Sequence, residues 1–193
     1  TLAFNYDSNA TVNDGSCYYG KTYVPDDNFE NYLEVMGLGD GIMLNDSVLT
    51  GNINTITNLI LNNYNISDLT GIEDFTALTS LQCQSNQLTT LDLSQNTALT
   101  FLNCGNNQLT NLDVSNNTAL ITLYCHTNQL TSLDVSNNTA LITLYFHTNQ
   151  LTNLDVSNNT ALITLYCDNN QLTSLDVSNN TSLTSLYCYS NQL

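Results

Sequence analysis

Residues 78–88 read LTSLQCQSNQL, and residues 99–109 read LTFLNCGNNQL. The pattern returns every 21 residues, with its first leucine at positions 78, 99, 120, 141, 162 and 183. A fixed period of this length is typical of a solenoid, in which each repeat buries its apolar side chains only against its neighbours. The spacing therefore predicts an elongated repeat domain and indicates a binding or structural protein.

Each repeat is expected to contribute one short strand. In L-x-x-L-x-C the second leucine and the cysteine alternate inwards, and the residues between them point outwards. Seven units begin at positions 56, 78, 99, 120, 141, 162 and 183, and the first is one residue longer than the others. Stacking these units predicts a β-dominated α/β solenoid with short parallel strands on its concave face and an irregular convex side.

The residues before position 56 do not carry the repeat. Residues 1–20 are polar and contain Cys17, and they predict a small, partial module. In residues 21–55, the segment PDDNFENYLEVMG predicts a helix at about 26–36, and residues 38–55 are expected to form a loop. The predicted organisation is thus a module at 1–20, an N-terminal cap at 21–55 and leucine-rich repeats at 56–193. The last repeat stops midway, so a further segment or a neighbour is expected to cover it.

The repeated residues resemble the leucine-rich-repeat signature, L-x-x-L-x-L/C-x-x-N-x-L, over residues 56–193. The first unit contains NISDLTGIEDFTAL and is similar to an internalin-type repeat, and the helical segment before it resembles the N-terminal cap of such proteins. The later LDVSNNTAL units resemble repeats of large secreted bacterial surface proteins. The resemblance implies an extracellular, secreted or surface-attached protein, and internalins in particular imply a host-protein target.

Two modifications are implied by the same resemblance. Residues 3–18 are similar to a short module of secreted proteins in which a second cysteine lies just upstream, which implies a disulfide between Cys17 and a residue outside this chain. The D-S-V at 46–48 looks like a bacterial O-glycosylation site, which implies modification of Ser47.

The charge balance and the motifs exclude several functions. The chain has 17 acidic residues against one basic residue, a net charge of −16. Without a basic patch it is not expected to bind nucleic acid, and no apolar run reaches the length of a membrane span. Motifs for nucleophilic, phosphate-binding or metalloprotease chemistry are absent, so the sequence predicts a non-enzymatic protein without a cofactor.

Two columns of the repeat are assigned to the core. In one, cysteine occupies the same position in five units and Phe146 replaces it in a sixth, which indicates an apolar environment. The thiols expected to be buried there are those of Cys83, Cys104, Cys125, Cys167 and Cys188. In the other, a stacked asparagine amide can donate to and accept from backbone groups that a turn leaves unpaired. This asparagine ladder comprises Asn86, Asn107, Asn128, Asn149, Asn170 and Asn191, and a second asparagine column at 96, 117, 138, 159 and 180 is expected to do the same at the opposite turn.

The outward strand positions form the candidate binding face. Tyrosine occupies the same column in four successive units, which predicts an aromatic strip suited to a protein or neutral glycan ligand. The alternative is that tyrosine has good β propensity and only stabilises the sheet. The candidate ligand-binding residues are Phe101, Tyr124, His126, Tyr145, His147, Tyr166, Asp168, Tyr187 and Tyr189.

Metal binding is left open at three places. His126, His147 and Asp168 can share a divalent ion if they converge, or they are copies made by repeat duplication. A column of aspartates at 92, 113, 134, 155 and 176 either binds calcium or caps local N–H groups. The small module offers oxygen ligands at Asp7, Asn9 and Asp14, with a spacing that does not fit an EF-hand loop.

The sequence favours adhesion or recognition at a cell surface, through the concave sheet and without chemistry. The alternative is a structural subunit of an extracellular filament or surface layer, in which self-assembly covers the exposed edges of the solenoid.

Overall fold

The computed structural model describes residues 20–193, which form a small cap followed by a stack of parallel strands. The cap contains strand β1 (Lys21–Tyr23), helix α1 (Asp27–Val35), strand β2 (Ser47–Leu49) and helix α2 (Thr50–Ile53). The stack contains seven three-residue strands, β3 to β9, at Asn58–Ile60, Ser80–Gln82, Phe101–Asn103, Thr122–Tyr124, Thr143–Tyr145, Thr164–Tyr166 and Ser185–Tyr187. A 3-10 helix at Ile72–Asp74 follows β3.

The seven strands pair in chain order in one parallel sheet. Each step of the register is one repeat, so that Leu102 lies opposite Leu81 on one side and Leu123 on the other. Equivalent side chains therefore stack in columns, because a slip of one residue would turn every leucine from the core to the solvent. This confirms the predicted β-dominated leucine-rich-repeat solenoid with parallel strands.

The core lies inside the coil and contains the cysteine column. Cys83, Cys104, Cys125 and Cys167 are buried and free, and Phe146 is fully buried in the same column. Burial raises the pKa of the thiols of Cys104 and Cys167 to about 12. These thiols are therefore protonated at neutral pH and unreactive in the folded protein.

The asparagine ladder joins each repeat to the one before it. Asn128 Oδ1 accepts a hydrogen bond from Leu109 N at 3.0 Å, and Asn128 Nδ2 donates to the carbonyl oxygens of Cys104 and Cys125 at 3.1 and 3.2 Å. One side chain thus satisfies three buried backbone groups in two repeats. The same arrangement is found at Asn107, Asn149, Asn170 and Asn191, and Asn86 bonds the first repeat in a variant of it.

The second asparagine column makes only half of these bonds. Asn117 Nδ2 donates to the carbonyl oxygens of Leu93 and Asn96, both at 3.0 Å. Its Oδ1 is buried without a hydrogen-bond partner among the described residues, and so are the Oδ1 atoms of Asn96, Asn138, Asn159 and Asn180. The expectation that this column both donates and accepts was therefore wrong for its acceptor half. The opposite turn brings carbonyl groups to the amide nitrogen and no N–H to the amide oxygen.

The turn after each strand depends on a left-handed residue just before the ladder asparagine. Thr127 and Thr148 have φ values of 52° and 58°, which are unfavourable for a β-branched residue. Ser85, Asn106, Asn169 and Ser190 adopt the same conformation in their repeats. The hydrogen bonds of the neighbouring asparagine offset this local cost and hold the turn.

Asp26 fastens the cap to the first repeat. Its Oδ1 accepts hydrogen bonds from the N–H groups of Asn28 and Phe29, both at 3.0 Å, and caps helix α1. Its Oδ2 accepts from Ser67 N, Ser67 Oγ and Asp68 N at 2.8, 2.8 and 3.1 Å. Burial raises the pKa of Asp26, but these hydrogen bonds lower it more, and the net pKa is below its ordinary value.

Part of the cap differs from its sequence-based description. Residues 38–55 were expected to form a loop, but they contain β2 and the short helix α2. Strand β2 exists because Val48 pairs antiparallel with Thr22 of β1, a contact between residues far apart in the chain. Local composition does not predict such a pairing, since strand propensity depends on the partner.

Replacing Asp26 with alanine is expected to lower the free energy of unfolding by about 2 kcal/mol at pH 7, because the helix cap and charged hydrogen bonds are both lost. Since the pKa of Asp26 is lowered in the folded state, its contribution is present above pH 3.8 and is lost as the pH falls through the folded pKa. Urea unfolding at pH 7 and below pH 3.8 measures both effects. D27A, at an exposed neighbour, is the control. Equal stability of D26A and D27A would contradict the role of Asp26.

Replacing Asn128 with alanine is expected to destabilise the protein by about 3 kcal/mol, because three buried backbone groups lose their partner. Gln129 is the next residue and is exposed, so Q129A controls for a change at the same turn. Thermal and urea unfolding of the two variants provide the comparison. If N128A lost no more unfolding free energy than Q129A, the asparagine ladder would contribute little to stability.

Candidate functional site

The outward side of the seven-stranded sheet, here called the strand face, carries the candidate binding residues. It consists of the side chains at repeat positions three, five and seven, counting the first leucine as one. In units two to seven its only charged residue is Asp168, although the chain has a net charge of −16. The strand face is therefore a neutral surface on an acidic protein.

Three tyrosines form a continuous stack on this face, here called the tyrosine ladder: Tyr124, Tyr145 and Tyr166. The ring centroids of Tyr124 and Tyr145 are 4.5 Å apart at an angle of 18°, and those of Tyr145 and Tyr166 are 4.2 Å apart at 1°. At the two ends of the stack, Phe101 makes a T-shaped contact with Tyr124 at 5.6 Å and Tyr187 makes one with Tyr166 at 4.4 Å. The parallel register produces this stack, because it places equivalent residues at the strand spacing.

The stacking determines which part of each ring meets the solvent. The ring faces that Tyr124, Tyr145 and Tyr166 turn towards one another are covered by stacking, and the three side chains are half-buried. Ring edges and hydroxyl groups are left for contact with a ligand. Burial and the neighbouring Tyr166 raise the pKa of Tyr145, so its hydroxyl is a protonated hydrogen-bond donor at neutral pH.

His126 and His147 stack beside the tyrosine ladder, with ring centroids 4.7 Å apart and an angle of 17°. Nitrogen lone pairs lie in the ring plane, so two nearly parallel rings do not aim them at a common ion. Among residues 20–193, these histidines and Asp168 are not found in any group of three ligands whose atoms lie within 4.8 Å of one another. The structure does not bring the three predicted ligands together as a metal site.

Asp168 is the third member of the histidine column, and it is only 6% exposed. Its Oδ2 accepts a hydrogen bond from Asn169 Nδ2 at 2.7 Å. A hydrogen bond between Tyr189 and the Asp168 carboxylate raises the pKa of Tyr189. Asp168 thus anchors neighbouring polar groups at one end of the strand face.

A column of exposed isoleucines borders the strand face and was missed in the sequence analysis. Ile121, Ile142 and Ile163 lie at repeat position two and are 41%, 37% and 42% exposed. Position two precedes the strand, so in–out alternation does not assign its direction. The signal was the replacement of threonine by isoleucine in three successive units, the same units that carry Tyr124, Tyr145 and Tyr166.

The aspartate column caps turns on another surface of the solenoid. Each of Asp92, Asp113, Asp134, Asp155 and Asp176 accepts a hydrogen bond from the N–H of the serine two residues later, at 2.8 to 2.9 Å. Hydrogen bonds from these serines lower the pKa of each carboxyl group. Asp92 and Asp113 also line an open groove of about 490 Å³. Turn capping, the alternative to calcium in the sequence analysis, accounts for this geometry.

One group of three acidic residues comes together in the part of the chain that the structure describes. Ligand atoms of Asp27, Glu30 and Asp46 lie within 4.8 Å of one another. Glu30 is buried and already accepts hydrogen bonds from Asn45 N and Asp46 N, at 2.9 and 3.2 Å. These contacts account for the position of Glu30 within the cap.

The remaining predicted residues lie in or before the cap. Ser47 is in β2, where its hydroxyl donates to Asn45 Oδ1 at 3.0 Å and accepts from Lys21 Nζ at 3.2 Å. Its glycosylation stays a prediction. Asp7, Asn9, Asp14 and Cys17 lie outside the described residues. None of the helices found in residues 20–193 has the length and apolar character needed to cross a bilayer.

Comparison with known proteins finds a similarity to internalins. A family model described as the LVIVD repeat matches residues 165–190. Over 86 residues, the chain is 45% identical to internalin J of Listeria monocytogenes, a match that spans 45% of this chain and 9% of that protein. The solved functional domain of internalin J, which includes a cysteine ladder, aligns with 37% identity and a TM-score of 0.60. The alignment covers 90% of this chain and 48% of that domain structure.

Two further structures share the fold. Internalin F of Listeria monocytogenes is 30% identical, with a TM-score of 0.64 over 66% of this chain and 39% of that one. The ectodomain of the Arabidopsis thaliana receptor kinase GASSHO1/SCHENGEN3, solved in complex with CASPARIAN STRIP INTEGRITY FACTOR 2, is 25% identical, with a TM-score of 0.66 over 73% of this chain and 19% of that one. With its parallel sheet, its asparagine ladder and its buried cysteine column, the chain is a leucine-rich-repeat solenoid that is similar to the internalins.

Proposed function

We propose that this chain is a secreted or surface-attached recognition protein that holds a protein partner on its strand face and catalyses no reaction. The observation that carries the proposal is the continuous tyrosine ladder on a neutral face of a strongly acidic chain. Stacked tyrosines supply rigid contact area at little cost in conformational entropy.

The apolar border of the strand face supports a protein partner. Ile121, Ile142 and Ile163 expose a row of apolar side chains, while the tyrosine ladder offers hydroxyl groups nearby. An apolar row beside hydrogen-bonding groups resembles the centre of a protein interface, where aromatic residues are enriched and charged residues are depleted. The partner surface expected here is apolar and uncharged at its centre.

The covered ring faces disfavour a glycan as the ligand. A sugar ring packs most favourably against an open aromatic face, and the ladder leaves none open between Tyr124 and Tyr166. A protein partner contacts ring edges and isoleucine side chains without needing an open face. A neutral glycan is therefore the competing result that the experiment below distinguishes.

The related proteins support a binding role and a surface location. The plant ectodomain was solved in complex with CASPARIAN STRIP INTEGRITY FACTOR 2, and the internalin J domain aligns with 90% of this chain. The chain spans 9% of curated internalin J and less than half of its solved domain, so the partner and the location of the whole protein are part of this proposal.

The proposal is tested by binding of the labelled chain to parallel arrays of extracellular proteins and of neutral glycans. The double variant Y145S/Y166S is expected to lose at least about tenfold in affinity for any protein hit, because two central contact residues are removed. N137S/N158S changes two exposed turn residues, also one repeat apart, and is the matched control. The proposal would be overturned if both double variants lost binding to the same protein, if neither did, or if the chain bound only glycans.

Unfolding of the same variants separates binding from stability. If the tyrosine ladder only stabilises the sheet, Y145S/Y166S will lower the melting temperature and leave the affinity of the folded fraction unchanged. The proposal predicts loss of affinity at a temperature where both double variants are fully folded.

A further inference from the structure

The histidine pair lies in the middle of the proposed binding face, and its surroundings leave little room for positive charge. The ring of His126 is held between His147 on one side and the backbone of Gly105 on the other. A Cβ atom on residue 105 would lie 2.4 Å from Cε1 of His126, so the imidazole occupies the space that only glycine leaves free.

The hydrogen bonds of His126 suit its neutral form. Its Nε2 lies 3.3 Å from Asn106 Nδ2, an amide nitrogen that donates to an unprotonated ring nitrogen. Its Nδ1 is buried without a hydrogen-bond partner among residues 20–193. An imidazolium has two N–H donors to satisfy, and this position gives neither of them an acceptor.

The other charges near the pair do not compensate. By register and sequence position, the titratable side chains around the two rings are Tyr124, Tyr145 and Asp168, while the preceding strand contributes Gly105 and Asn106. Asp168 is on the far side of His147 from His126. Burial and the neighbouring His147 lower the pKa of His126 below its ordinary value. The folded state therefore favours neutral His126. The contribution of this preference to the free energy of unfolding is fully present above pH 6.5 and is lost as the pH falls through the pKa of the folded state.

We propose that His126 and His147 form a pH-sensitive switch in the strand face, in which acid drives the imidazole of His126 out of the space above Gly105 and separates the two rings. Two charged imidazoles 4.7 Å apart repel each other, and His126 finds water for both N–H groups only when it leaves. The inference rests on the proposed function for its biological meaning, since a partner held beside Tyr124 and Tyr145 at neutral pH would then be released in acid.

The test is a pH titration of the histidine ring signals by NMR, and it needs no ligand. The chain has two histidines, so H126N and H147N assign both signals. The expected result is two separate midpoints, with His126 below the ordinary value, and a shift of the Tyr124 and Tyr145 ring signals that follows the His126 midpoint. In H147N the His126 midpoint rises, because the neighbouring charge is removed.

A second variant tests the space above Gly105. G105A is expected to displace the His126 ring at neutral pH and to move its midpoint up to that of a free histidine, with unchanged circular dichroism. Equal midpoints that the partner substitution does not move, tyrosine signals that do not follow His126, or global unfolding at the same pH would each overturn the switch. Failure of the proposed partner binding would leave this titration intact, so the two proposals fail separately.

Discussion

Each turn that follows a strand in this solenoid buries backbone N–H and C=O groups, and an asparagine side chain of a neighbouring turn binds them. Asn128 illustrates the constraint. Its amide oxygen accepts a hydrogen bond from the N–H of Leu109, and its amide nitrogen donates one to the carbonyl of Cys104, both in the preceding repeat. A buried amide bonded in this way tolerates no slip in register, since a slip would leave several polar groups without partners. The ladder therefore fixes the alignment of one coil on the next.

The proposed binding face is a consequence of that alignment. Once Leu123 lies opposite Leu144, Tyr124 must lie beside Tyr145 and His126 beside His147. Stacked rings and stacked imidazoles are thus two results of one register, with different chemistry. The stacked tyrosines stabilise the sheet and present their hydroxyl groups, whereas the two imidazoles repel each other when both are charged.

The repeat period was sufficient to predict the parallel sheet, because a column of identical residues has few other ways to bury its leucines. It was not sufficient to predict contacts that depend on side-chain conformation or on distant partners. The spacing places tyrosines one strand apart, but the closure of the face between Tyr145 and Tyr166 depends on their rotamers. The exposure of Ile142 had a signal in the sequence, the replacement of threonine by isoleucine, but the alternation within the strand does not extend to that position. The unpaired Oδ1 of Asn117 was beyond sequence reasoning, since it depends on how the chain turns outside the strands. In the cap, β2 was missed because its partner strand lies far away in the sequence.

The most direct test of the central claim is native-state hydrogen exchange at the leucine amides that donate to the ladder. Leu109, Leu130 and Leu151 lie outside the strands, and each donates its N–H to the asparagine of the following repeat at 3.0 to 3.1 Å. If the ladder holds the coils in register, these amides exchange as slowly as those of β5 to β7, through global unfolding alone. Exchange at the rate of exposed turn amides would contradict the account.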